Sequence, residues 1–190
     1  MANDTSQPKI QEDIKKSFEG LKNKLNKVKN SILKEYNKHI LGIALLPPDI
    51  EKEGESKEDK NTKEDQKKIN ILILDDDTEA KNINLFALKE KMYATIDKST
   101  KEVDERFSLN IVFRSELIES CYDGKYDLLN MISLGAIIYD PSDMLAAIKI
   151  AEIHKSMAIK KFDKYIVSYV AAGSLFRGEK SNDIDVYIIV

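Results

Sequence analysis

Residues 166–190 read Ile-Val-Ser-Tyr-Val-Ala-Ala-Gly-Ser-Leu-Phe-Arg-Gly-Glu-Lys-Ser-Asn-Asp-Ile-Asp-Val-Tyr-Ile-Ile-Val. An apolar run, Ile166 to Ala172, enters a turn at Gly173 and Ser174. A short polar loop containing Arg177 follows, and Asp183 and Asp185 then open a second apolar run. Residues i and i+2 of a strand point to one side of a sheet, so this spacing predicts two carboxylates presented together. Hard divalent cations such as Mg²⁺ take oxygen ligands of this kind, with phosphate oxygens completing the shell. Gly173 lets backbone approach a ligand closely, and a main-chain N–H beside the Ser174 hydroxyl suits a phosphate. The plainer reading is a hairpin with a glycine turn and two solvated aspartates at a strand edge. Asp is depleted in strands, however, so two on one face call for a reason, and metal binding supplies one.

Gly173-Ser174 followed by Asp183-Ile184-Asp185, in that order and between two apolar strands, resembles the nucleotidyltransferase superfamily related to DNA polymerase β, including its minimal members. The resemblance implies an α/β (α+β) fold, a mixed sheet flanked by helices. It implies transfer of a nucleoside monophosphate from an NTP to an acceptor, with two Mg²⁺ ions. Asp183 and Asp185 take the metal-binding and catalytic positions, while Gly173, Ser174 and Arg177 take the nucleotide-binding ones. The family's third carboxylate lies on a later strand, which places it beyond Val190 here. The loop between the two halves of the motif is short for the family.

The chain also contains an internal repeat, which decides how it is divided. Lys34-Glu35-Tyr36-Asn37-Lys38-His39-Ile40-Leu41 aligns with Lys160-Lys161-Phe162-Asp163-Lys164-Tyr165-Ile166-Val167, ungapped until Pro47-Pro48 falls opposite Gly173-Ser174. Beyond a longer loop, Ile69 to Leu74 aligns with Ile184 to Ile189. The first copy departs from the motif wherever chemistry needs it. Pro48 offers neither an N–H nor a hydroxyl. Lys68 and Asn70 stand in the places of Asp183 and Asp185, and Asn110 takes the slot that the resemblance gives to the third acid. We therefore expect a degenerate nucleotidyltransferase-like domain over 1–140 and the truncated start of a second over 141–190. Chance likeness of two Lys-rich helix–strand junctions is the competing account.

Outward from this repeat, apolar spacings of three and four from Ile10 to Tyr36 predict a long amphipathic helix packed on its own sheet, started near Pro8. Strands are expected at His39–Leu46, Ile69–Leu74, Leu109–Phe113 and Ala136–Tyr139. Helices are expected from about Asn82 to Arg106, Ser115 to Cys121, Tyr126 to Leu134, and from Met144 onward. Residues 49–68 are almost devoid of apolar side chains, which predicts a disordered charged loop. Asp75-Asp76-Asp77 ends an apolar run; helix N-capping accounts for it at least as well as metal binding.

With 30 basic against 33 acidic residues the net charge is −3, so no global basic field points to nucleic acid. No window approaches the roughly 18 apolar residues of a membrane span. A lone Cys121 and an apolar-poor amino terminus point to the cytoplasm. His39 and His154 each stand alone and are read as structural. The partners expected are an NTP and an acceptor whose class, protein, RNA or small molecule, stays open. The apolar run that stops at Val190 is expected to mark a truncated product and to favour self-association.

Two rivals remain. One is a non-catalytic nucleotide-binding or regulatory protein of the same fold. The other is a phosphorelay receiver domain, in which Ile71 to Asp77 would form the first strand and acidic pocket.

Overall fold

The computed structural model describes residues 7–48, 68–80, 83–177, 179 and 183–190. Residues 49–67 of the expected charged loop lie outside them. The strand β2 (Ile69–Asp75) is an inner strand of a four-stranded sheet in the order β3-β2-β1-β4. Its neighbours are β1 (Ile40–Leu45) and β3 (Phe107–Phe113), and β4 (Ala136–Tyr139) closes the far side of β1. β2 and β3 are parallel, whereas β1 is antiparallel to both β2 and β4. The near-continuous apolar run of β2 predicts a strand covered on both faces. Ile71 and Ile73 accordingly join one buried cluster, and Leu72 and Leu74 join the other.

Helices supply the two covers. On the isoleucine face lie α1 (Gln7–Tyr36) and α2 (Leu85–Lys101), contributing Val28, Ile32, Met92 and Ile96. On the leucine face lie α3 (Arg114–Tyr122), α4 (Asp127–Leu134) and α5 (Met144–Phe162), contributing Leu117, Ile132, Met144, Leu145 and Ile148. The result is a mixed α/β architecture with helices on both sides of the sheet. A bulge in β1 between Ile40 and Gly42 puts Ile40 and Ile43 on the same face despite their odd separation.

Two expectations about the helices need correction. The apolar stripe of α1 does not pack along its whole length, because Phe18 is 70% exposed while Val28 and Ile32 are buried. A helix of 30 residues runs about 45 Å, and a six- or seven-residue strand only about 20 Å, so the helix outruns its sheet. α2 ends at Lys101 instead of near Arg106. Asp104 stops it: its carboxylate accepts from the Arg106 main chain, from the Arg106 guanidinium and from Lys24 Nζ of α1. The Arg106 hydrogen bonds lead in holding that carboxyl well below the usual range.

After α5 the chain forms a separate antiparallel hairpin, β5 (Ser168–Ala172) and β6 (Asp185–Ile189), joined in part by a 3₁₀ turn at Ser174–Arg177. Under the sequence alignment, the pairs Gly42↔Leu74, Ile43↔Ile73, Ala44↔Leu72 and Leu45↔Ile71 predict Ser168↔Ile189, Tyr169↔Ile188, Val170↔Tyr187 and Ala171↔Val186. Those are the partners observed. A one-residue slip would swap the faces of every side chain, so coincidence of register is a stringent comparison. The α5 contact follows the same offset. His154 Nδ1 lies 2.9 Å from the Tyr169 hydroxyl, at positions aligned with Val28 and Ile43 of the first core cluster.

Gly42 marks where β1 and α5 approach most closely: a Cβ there would lie 2.5 Å from Leu145 Cδ1. Leu145 is fully buried in the leucine-side cluster, so displacing it disturbs that packing. Gly42→Ala should therefore cost about 1–3 kcal/mol in chemical denaturation. Leu145→Ala alone should cost about 2–5 kcal/mol. Combined, the two should cost less than their sum, because the smaller side chain at 145 relieves the clash.

Candidate nucleotide and metal site

The turn after β5 brings Gly173 against Asp185. Gly173 has φ +117°, a conformation L side chains rarely adopt, and a Cβ there would lie 3.3 Å from Asp185 Oδ2. The backbone conformation favours glycine here, and the carboxylate beside it leaves little room for a Cβ. Asp185 is the first residue of β6 and pairs with Ala172, so the ladder itself delivers its carboxylate to the turn. Ser174 begins the 3₁₀ turn, and its carbonyl accepts from the Glu179 N–H at 3.1 Å. Phe176 anchors the turn by packing on the second core cluster.

Asp183 is exposed and lies ahead of β6, outside the ladder. The alternation argument for a shared face therefore holds from Asp185 onward and does not itself aim Asp183. Arg177 contributes main chain to the turn; the expectation that its side chain adds charge to a phosphate pocket falls outside the described residues. Among the described residues no three His, Cys, Asp or Glu side chains form a group that would hold a metal ion. The donor chemistry of Asp183 and Asp185 suits a hard cation, but the two carboxylates supply only part of a shell.

The equivalent slots of the first copy carry no acid. Asn70 pairs with Ser108 and Leu72 with Asn110 across β2 and β3, so Asn70, Ser108 and Asn110 fall on one sheet face by strand alternation. Asn70 is buried and Asn110 exposed. The positions that the alignment sets against the acids thus carry amides on a shared sheet face.

The acidic run Asp75–Asp77 lies at the carboxyl end of β2, and the side chains of Asp76 and Asp77 are spent on structure. Asp77 accepts from the Ser115 N–H at 3.1 Å and from the Ser115 hydroxyl. It caps α3, 38 residues away, whereas α2 is capped by Asn84, which accepts from the Ala87 N–H. Asp76 accepts from the Thr78 N–H and hydroxyl and faces Arg114 at 3.6 Å. Asp140 likewise accepts from the Ala146 N–H at the start of α5. The antiparallel β1 beside β2 also departs from the parallel sheet that a receiver domain requires.

Asp75 differs from its neighbours. It is 3% exposed, its Oδ2 has no hydrogen-bond partner, and burial pushes its pKa up to about 6, opposed by nearby His39. Sequence reading placed it within an acidic cluster and missed its burial. The available signal was its position as the last residue of an otherwise apolar strand. Tyr169 and His154 were also missed as a pair, since only the hairpin's packing on α5 joins them; Tyr169 additionally donates to the Ala151 carbonyl at 3.2 Å.

Gly173→Ala should destabilise the hairpin by about 1–3 kcal/mol, the usual cost of a strained backbone position. Faster amide exchange in β5 and β6, with the four-stranded sheet unchanged, is the expected readout. For Asp75 the folded-state pKa exceeds the unfolded value of 3.8, so between pH 3.8 and about 6 the unfolded chain binds fewer protons than the folded one. Stability from this group is present at low pH and lost as pH rises through that window. Asp75→Asn should gain about 2–3 kcal/mol relative to wild type at pH 7.5, with the difference shrinking toward zero near pH 4, measured by urea titration.

Comparison with protein-family models, with curated proteins and with solved structures finds no match to this chain.

Proposed function

We propose that the chain binds a nucleoside triphosphate with Mg²⁺ at the turn between β5 and β6, as part of a metal-dependent nucleotidyltransferase arrangement. The observation that carries this reading is the contact between Gly173 and the Asp185 carboxylate. It joins the two halves of the sequence motif at one corner of one hairpin. Matching hairpin registers support a tandem arrangement, with residues 1–140 as a degenerate copy and 141–190 belonging to a second.

In this reading the small Gly173 leaves room for phosphate oxygens beside the main chain, and the Ser174 hydroxyl donates to them. Asp183 and Asp185 hold the cation, and Arg177 adds positive charge to the phosphates. When bound, Mg²⁺ supplies charge neutralisation on the triphosphate and lowers the pKa of an attacking hydroxyl. The reaction class is transfer of a nucleoside monophosphate to a hydroxyl acceptor with pyrophosphate leaving. Among the described residues the motif offers two carboxylates where the family uses three. Residues 1–190 are therefore expected to bind nucleotide but to turn over little or not at all.

A second reading, a non-catalytic nucleotide-binding or regulatory protein, is favoured by the first copy, where Pro48, Lys68 and Asn70 align with Ser174, Asp183 and Asp185. No helix among the described residues is long and apolar enough to cross a membrane. We propose a cytoplasmic setting from the single Cys121, whose thiol is half-buried and pushed up in pKa chiefly by that burial.

Calorimetric titration with ATP should show affinity that requires Mg²⁺ and falls at least about tenfold in Asp185→Asn, one charge-assisted contact's worth. Binding that ignores Mg²⁺ and this substitution would eliminate the metal-site reading. Robust AMP transfer from labelled ATP by residues 1–190 would show that the reacting groups lie elsewhere.

A further inference from the structure

The segment after β5 carries a phenylalanine among its turn residues. Residues 173–179 read Gly-Ser-Leu-Phe-Arg-Gly-Glu, and Phe176 packs on the leucine-side cluster of the four-stranded sheet. That cluster draws Leu41 from β1, Leu74 from β2, Leu117 from α3, Ile132 from α4, and Leu145 and Ile148 from α5. The 3₁₀ turn lies along α5, so the helix that holds β5 through His154 also meets the turn.

The contact matters because the hairpin does not fix the turn by itself. The β5–β6 ladder ends where Ala172 pairs with Asp185. It aims the Asp185 carboxylate but leaves Gly173 to Arg177 outside its hydrogen bonds. Such a segment loses conformational entropy residue by residue when it is ordered, and glycine loses most. The bond from the Glu179 N–H to the Ser174 carbonyl closes the turn on itself without tying it to the rest of the fold. Phe176 supplies that tie. Its ring gains by leaving water, and a close-packed interior admits few arrangements of it. A 3₁₀ turn rises about 2 Å per residue, so Ser174 lies only about 4 Å along the axis from Phe176. Where the ring sits therefore decides where the Ser174 hydroxyl and the Gly173 main chain stand relative to Asp185.

We propose that Phe176 is a positioning residue of the nucleotide site: seated on the leucine-side cluster, it holds the Gly173–Arg177 turn beside Asp185 and so sets the affinity for the triphosphate. This role rests on the nucleotide reading of the turn given above. It makes the four-stranded sheet and its helices the support of the site, although their own aligned positions carry no acid. Apparent affinity falls in proportion to the fraction of molecules whose site already has its binding arrangement. Unseating the ring lowers that fraction and leaves every ligand-binding atom in place.

Calorimetric titration with ATP and Mg²⁺, paired with amide exchange, tests this role. Phe176→Ala should weaken binding about tenfold while keeping the Mg²⁺ requirement, because no metal or phosphate ligand is removed. Amides of the turn should exchange faster, while those of β2 and β3 keep their protection. Phe176→Leu keeps most of the apolar seat and should lose only about two- to threefold. Unchanged affinity in Phe176→Ala, with the wild-type chain binding, overturns the role and leaves the site standing. A wild-type chain without Mg²⁺-dependent affinity overturns the site and this role together. Should Phe176→Ala fail to fold, the Phe176→Leu titration decides, and an affinity equal to wild type overturns the role.

Discussion

Everything in this molecule depends on β2 having no polar face. Ile71, Leu72, Ile73 and Leu74 are all fully buried, so each side of the strand must be covered by something apolar. At roughly 25 cal/mol for each Å² of apolar surface removed from water, these side chains contribute on the order of 1.5–3 kcal/mol apiece. Two covers follow from that demand. α1 and α2 come from one flank, α3 to α5 from the other, and the parallel β3 and antiparallel β1 complete the edges. Asn70 and Asp75 sit at the two ends of the run, where burial of polar groups carries a cost.

Asp75 shows that cost most plainly. A carboxyl at the end of an apolar strand is drawn under the same covers as the leucines before it, and its raised pKa is the consequence. Its two neighbours escape because the chain turns there. Asp76 and Asp77 find a threonine, an arginine and the start of α3, and so join β2 to β3's following helix. Three identical residues in a row therefore do three different things, decided by solvent access and by which N–H groups lie within reach.

The hairpin of β5 and β6 repeats the pairing of β1 and β2 without repeating their cover. α5 serves both units: its first turns fill the leucine-side core, and its later turns hold β5 through His154 and Tyr169. The turn after β5 is one place where the hairpin differs chemically from its counterpart. Where the alignment sets Pro47, Pro48 and the buried Asn70, the hairpin has Gly173, Ser174 and Asp185. This is the corner for which we propose a phosphate-binding role.

Residue pattern alone determined the strand and helix types, the mixed α/β class and the alignment of the second hairpin with the first. These are local matters, set by apolar periodicity and by a shared run of residue types that predicts the same register twice. The adjacency of Gly173 and Asp185 was also legible, because a strand–turn–strand motif must bring its two ends together. The reach of α1, the end of α2 at Asp104, the capping of α3 by Asp77 and the burial of Asp75 were not. Each depends on a partner far away along the chain, and only tertiary packing decides which distant group a carboxylate meets or whether water can reach it.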